Sequence, residues 1–197
     1  MDSHLSKLGV PPELQAYFGT ADLCFDFGDE QELFGEGFHR VPTTPDLWMA
    51  GSYPATELII TSSAMEAVAY MTLNAWRHPP NAVMSFIAIG NLPHPRQIQW
   101  ISAYCQKRKI TLVFSNDLPG KLTDIIVASG IRKKAVRAAW QRGKVHLHLG
   151  QLALGFLPEV VSLNAFEKAA GIRTGIRTRK PAGHNTFLDQ LIYDQQQ

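Results

Sequence analysis

Cysteine is scarce: Cys24 and Cys105 are the only two in 197 residues, too few for a disulfide framework or, by themselves, a zinc site. Long apolar runs are missing as well. The longest, residues 82–89, is interrupted by Ser85 and falls well short of the ~20 residues that a membrane helix needs. The opening Met1-Asp2-Ser3-His4-Leu5-Ser6-Lys7 has no apolar stretch of the secretory-signal kind. No Gly-x-x-x-x-Gly-Lys, Gly-x-Gly-x-x-Gly or Gly-x-Ser-x-Gly pattern occurs, so NTPase, dinucleotide-binding and hydrolase readings lack their motifs. These absences lead to the expectation of a soluble, cytoplasmic chain with reduced thiols and no membrane partner.

What is present suffices for a packed core: 45% of residues are hydrophobic and 18% charged. The net charge of +2 hides an asymmetry, because residues 1–130 carry 8 Lys/Arg against 13 Asp/Glu and residues 131–197 carry 11 against 4. Two basic groups account for most of the excess. Arg132, Lys133, Lys134 and Arg137, followed by Arg142 and Lys144, are expected on a helix and its exit. Arg173, Arg177, Arg179 and Lys180 lie in a linker with Thr174, Gly175 and Thr178. Cations interleaved with Thr and Gly suit contact with a phosphate backbone without reading of base sequence. A solvated basic face would look the same.

The first 50 residues alternate aromatics with turns. Cys24-Phe25-Asp26-Phe27, a turn at Gly28-Asp29, Leu33-Phe34 and Phe38-His39-Arg40-Val41 predict antiparallel hairpins. The pattern then changes. Leu58-Ile59-Ile60-Thr61, Ala82–Ile89 and Ile110–Phe114 are continuous apolar runs, separated by helical stretches at 63–74, from Pro95, and at about 121–129 with Gly130 as the stop. Continuous apolar strands alternating with helices predict an α/β fold: a doubly wound parallel sheet covered on both faces. Further on, Val145, Leu147 and Leu149 alternate with Lys144, His146 and His148, which reads as a half-exposed strand near a sheet edge. Ser162 is expected to cap a helix that ends at Gly171, and a last helix follows Asn185. The segments are 1–55, β-rich and packed on the core; 56–160, the core; and 161–197, the basic linker and C-terminal helix.

Ligands of such sheets bind beyond the carboxyl ends of the strands, here Ser62-Ser63, Gly90-Asn91 and Ser115-Asn116-Asp117. The residues at two of these tips carry a resemblance. Leu58-Ile59-Ile60-Thr61-Ser62-Ser63-Ala64-Met65-Glu66 and Leu112-Val113-Phe114-Ser115-Asn116-Asp117-Leu118-Pro119-Gly120 are similar to the first and third strand ends of the TOPRIM family, found in topoisomerases, primases and primase-like proteins of mobile elements. In that family these ends read Glu-Gly-x-x-Asp and Asp-x-Asp followed by a small residue and Gly. The run 82–90 matches the family's middle strand, and Gly183-His184-Asn185-Thr186-Phe187-Leu188 resembles the Asp-Trp-Asn-x-x-Leu ending of some mobile-element members. The resemblance covers 56–130, and more loosely 181–191. It implies a TOPRIM-like core and a role in DNA replication or mobile-element transfer, with nucleic acid and replication or DNA-transfer proteins as partners.

The chain departs from that pattern at two acids. The position of the family's general acid/base glutamate is Ser62, and that of the first aspartate is Ser115. Glu66 and Asp117 are the two carboxylates left to hold Mg²⁺, a hard cation that wants oxygen ligands and anionic charge. Such binding would be weak and would depend on substrate phosphates, so no firmly held cofactor is expected. Serine does not transfer protons near neutral pH without an activating base, and loss of strand cleavage is the expectation. Ser62 and Ser63, at a helix N-terminus with Asn116 nearby, are instead expected to offer an anion-binding tip.

Other readings of the same residues remain open. Ser63-x-x-Glu66 also fits a capping box, and Asn116-Asp117 with Pro119-Gly120 also fits ordinary turn chemistry. A Mg²⁺-dependent phosphoryl-transfer enzyme using Glu66 and Asp117 is one alternative function, and a protein-interaction module built on the aromatic hairpins is another. His146 and His148 share a strand face without a third ligand at metal spacing. His39, His78 and His94 stand alone in turn-like contexts, and Cys105 sits among apolar helix positions as a small core residue.

Overall fold

The chain begins with two short helices, α1 (His4–Lys7) and α2 (Pro12–Phe18), in a computed structural model that describes residues 4–20, 23–79, 81–105 and 108–197. The alternating aromatic segment forms a meander of β1 (Cys24–Phe27), β2 (Glu30–Gly35) and β3 (Phe38–Arg40), each antiparallel to the next. Then follow β4 (Trp48–Gly51), β5 (Glu57–Thr61), α3 (Ala64–Asn74), β6 (Met84–Ala88), α4 (Pro95–Tyr104), β7 (Lys109–Val113) and α5 (Leu118–Ile131). A second meander, β8 (Val136–Gln141), β9 (Lys144–Leu149) and β10 (Leu152–Phe156), precedes α6 (Leu163–Ala170), β11 (Arg177–Thr178) and α7 (Phe187–Asp194).

The central sheet has five strands in the order β11-β7-β5-β6-β4. β5 is parallel to both β6 and β7, and β11 is parallel to β7, while β4 runs antiparallel to β6. The fold is therefore α/β with a mixed sheet. The parallel centre matches the continuous apolar runs; the antiparallel edge comes from Trp48–Gly51, whose short apolar run names no partner. Every residue of β5 and β6 is buried. Ile60 lies between Ile87 and Leu112 in register, and burial of each such side chain stabilises by about 1.5–3 kcal/mol.

Alternate residues feed two cores. Ile59, Phe86, Ala88 and Val113 pack with α3, α7, α2 and the aromatics of β1 and β2 on one face. Leu58, Ile60, Ile87, Ile110 and Leu112 pack with α4, α5, α6 and the inner side of the second meander on the other. No helix among the described residues is long and apolar enough to cross a membrane.

Several local expectations change. Helix α5 starts at Leu118, three residues early, because Asp117 caps it by accepting from the Gly120 amide at 2.9 Å. Gly130 lies inside α5 rather than stopping it: a Cβ there would sit 2.5 Å from Ile98 Cγ2, so the missing side chain lets α4 and α5 approach. Arg132, Lys133 and Lys134 form a turn after α5, not a helix, with Lys133 at φ 58°; Arg137 is in β8 and Lys144 in β9. β9 is the middle strand of its sheet, not an edge. The caps at Ser63 and Ser162, the Pro95 helix start and the Gly171 stop all occur.

Gln97 joins the segment before β4 to the end of β6. Its Nε2 is shared among the carbonyls of Thr44, Asp46 and Ile89 at 3.0, 2.7 and 2.8 Å, and its Oε1 accepts from the His94 amide at 2.7 Å. The residue is buried. Leaving buried carbonyls without donors costs about 1–3 kcal/mol each. Gln97→Leu should therefore lower the unfolding free energy by roughly 3 kcal/mol in urea titrations, whereas Gln99→Leu, exposed on the same helix, should change it little.

Candidate functional site

The tips of β5 and β7 are neighbours, since Thr61 pairs with Val113; Ser62 and Ser115 follow them, both half-buried. Ser63 begins α3, and its Oγ accepts from the Glu66 amide at 3.0 Å. Only this half of the predicted capping box forms. The remaining first-turn amides meet a residue from a distant strand: Ala64 N and Met65 N donate to the carboxylate of Glu32 in β2, at 2.6 and 3.0 Å. Glu32 is fully buried, and its Oε1 also lies 2.9 Å from His39 Nε2. The amides of Ala64, Met65 and Glu66, which a phosphate at the α3 N-terminus would use, are thus already paired within the chain.

Glu66 is turned the other way. Its two carboxylate oxygens accept from Phe187 N at 2.8 Å and Leu188 N at 3.1 Å, the first amides of α7. Burial pushes the Glu66 carboxyl up to about 7, against the lowering pull of those two amides. Asp117, exposed, is held by the Ser115 hydroxyl, which donates to its Oδ1 at 2.5 Å, as well as by the Gly120 amide. Glu66 and Asp117 therefore each hold a different helix N-terminus. Among the described residues no group of three or more His, Cys, Asp or Glu is arranged to hold a metal ion. Mg²⁺ demands a near-octahedral set of oxygens, and this donor set does not fit it.

The chain also covers these tips. Asn116 N donates to the Asn185 carbonyl at 2.7 Å, so the segment before α7 crosses from β7 toward α3. On the other side, Asn91 donates through its backbone to Pro42 O and through its side chain to Val41 O. Lys180 is not part of an exposed basic set. Its ammonium reaches the carbonyls of Phe114 and Ser115 at 3.0 and 2.9 Å and pairs with Asp124 at 2.7 Å. Burial lowers the Lys180 ammonium against the pull of Asp124, and burial pushes Asp124 up to about 6 despite Lys180.

The exposed cations lie elsewhere. Arg132, Lys133 and Lys134 are exposed in the turn after α5, and Arg173, Arg177 and Arg179 flank or occupy β11. Arg132 Nε donates to the Thr174 carbonyl at 2.6 Å, and Glu167 accepts from the Thr174 amide at 2.7 Å. The two basic groups of the sequence are thereby tied together. His146 and His148 project from one face of β9; His78 is held by Glu57 and Tyr70, and His94 caps α4. Cys105 is buried, and burial pushes its thiol up.

Sequence reasoning missed Glu32. The signal was its phase: two residues before Phe34 on one strand, it shares the inward face with that aromatic, an unusual place for an acid. No protein-family model, curated protein or solved structure matches the chain.

Two measurements probe this geometry. Glu32→Ala strips two helix amides and His39 of their acceptor, and it should cost about 3 kcal/mol or more in urea unfolding. Glu30→Ala removes only an exposed pair with Arg40 at 3.7 Å and should change the midpoint little. For Glu66, a carboxyl held above its ordinary value favours the fold below pH 4.5, and that advantage is lost as the pH rises through about 7. The stability of Glu66→Gln relative to wild type should therefore rise across this window, by on the order of 3 kcal/mol, and level off above it.

Proposed function

We propose that this chain is a non-catalytic, TOPRIM-like protein that associates with nucleic acid in DNA replication or mobile-element transfer, engaging phosphates through its basic C-terminal third. The strand order β7-β5-β6 with helical crossovers is compatible with such a core. Against catalysis stand the hydroxyls at Ser62 and Ser115 and the engagement of Glu66 and Asp117 in helix caps. Neither serine transfers protons near neutral pH without an activating base.

The observation that carries the reading is one of charge. Residues 125–158 contain six Lys/Arg and no Asp/Glu, residues 171–183 contain the exposed Arg173, Arg177 and Arg179 beside the internally paired Lys180 and no acid, and the Arg132–Thr174 bond joins the two stretches. Clustered exposed cations attract a polyanion and release its counterions on binding.

The test is fluorescence anisotropy with labelled single- and double-stranded oligonucleotides at several salt concentrations. Binding should weaken with salt, log K falling by about 0.7–0.9 per decade of salt for each phosphate engaged, and the oligonucleotide should stay intact when Mg²⁺ is added. Salt-independent binding, or Mg²⁺-dependent cleavage abolished by Asp117→Asn, would contradict the proposal.

A further inference from the structure

The outer face of the second meander is built for more than solvation. In β9, Val145 and Leu147 point into the core, while Lys144, His146 and His148 point outward. Cross-strand register places Arg137 opposite His148 and Ala139 opposite His146 on β8. On β10, Ala153 stands opposite His148 and Gly155 opposite His146. Directly opposed residues share a face, so two imidazoles stand on a floor of Ala139, Ala153 and Gly155. Arg137 lies at one end and Lys144 at the other.

Arg137, Lys144, His148, Ala153 and Gly155 are exposed. The His146 ring leans over Gly155, where a Cβ would come 3.7 Å from its Cε1. A hollow of about 680 Å³ opens at the Arg137–His148 end of this sheet, along the β8 edge, lined by Ala135, Arg137, Ala138, Ala139, His148 and Gly150. No carboxylate occurs in residues 125–158, the stretch that holds the meander and the turns between its strands.

We infer that this face is a docking platform for single-stranded nucleic acid, an inference that rests on the nucleic-acid reading above and locates its contact. Charge complementarity names the occupant: a positive, acid-free surface fits a polyanion. The shape narrows it. Arg137 and Lys144 are about four residues apart along the strand direction, or ~14 Å at the rise of an antiparallel strand, a span of several phosphates. Between them, small side chains leave room beside each imidazole for a flat base, and His is among the rings on which unpaired bases stack. A duplex keeps its bases inside and gains nothing from such rings, whereas the sheet face serves a strand whose bases are free.

The experiment measures anisotropy of a labelled oligothymidylate and of a duplex of equal length against wild type and three variants, each checked for an unchanged melting curve. Wild type should bind the single strand at least tenfold more tightly than the duplex. Arg137→Gln with Lys144→Gln should weaken single-strand binding about tenfold and reduce the salt slope by about 1.4, two phosphates at about 0.7 each. His146→Ala with His148→Ala should weaken it about fivefold or more while leaving the salt slope unchanged, as expected for lost stacking rather than lost charge.

Arg173→Gln with Arg177→Gln and Arg179→Gln serves as the comparison, with a smaller loss. If wild type binds but both meander variants bind as wild type does, or if duplex is preferred, the platform is wrong while the broader reading stands. If wild type binds neither probe, the broader reading fails and the platform with it.

Discussion

Two buried carboxylates seated on helix N-termini organise this molecule: Glu32 on α3 and Glu66 on α7. A helix start exposes amides without internal partners and the positive end of the macrodipole, and an anion answers both. Removing a carboxylate from water costs several kcal/mol. Two charge-assisted bonds return about 1.5–3 kcal/mol each, so the net gain is small, and the raised Glu66 carboxyl shows burial outweighing its partners. The contribution lies in specificity. Glu32 fixes the first meander to α3, Glu66 fixes the C-terminal helix to the same element, and loss of either leaves helix amides bare.

The same contacts decide what the strand ends can do. The C-terminal tips of parallel strands are where ligands enter an α/β sheet. Here Glu32 lies on the α3 amides, the Asn185 carbonyl takes the Asn116 amide, and Lys180 neutralises Asp124 beneath β7. The carboxylates of Glu66 and Asp117 meet backbone amides. The free charge of the molecule has moved to the surface, onto the turn after α5, the β11 edge and the second meander.

Much of the fold was legible because its signals are local. β5, β6 and β7 follow from apolar runs, and Ser63, Pro95, Ser162 and Gly171 mark helix ends by chemistry confined to one turn. Asp117, expected as a weak Mg²⁺ ligand or a turn residue, is an N-cap, and turns and N-caps use the same contact, an Asx oxygen on an amide two or three residues on. The basic run 132–134 looked helical in composition, yet Lys133 at φ 58° breaks the helix there. Partnerships across long loops left no local trace. Glu32 reaches α3 from 32 residues away, Glu66 meets α7 across 121, and Lys180 meets Asp124 across 56. The strand tips follow from the apolar runs, but which groups meet there depends on these distant pairings.

The most direct measurement is an NMR titration of ¹⁵N-labelled protein with inorganic phosphate and, separately, with Mg²⁺, following the amides of Ala64, Met65, Phe187 and Leu188. With Glu32 and Glu66 seated on them, these four resonances should stay in place through both titrations. Saturable shifts at Ala64 and Met65 with phosphate, or at Phe187 and Leu188 with Mg²⁺, would mean that an external ion displaces or recruits the internal carboxylate, and that the strand ends are an open site after all.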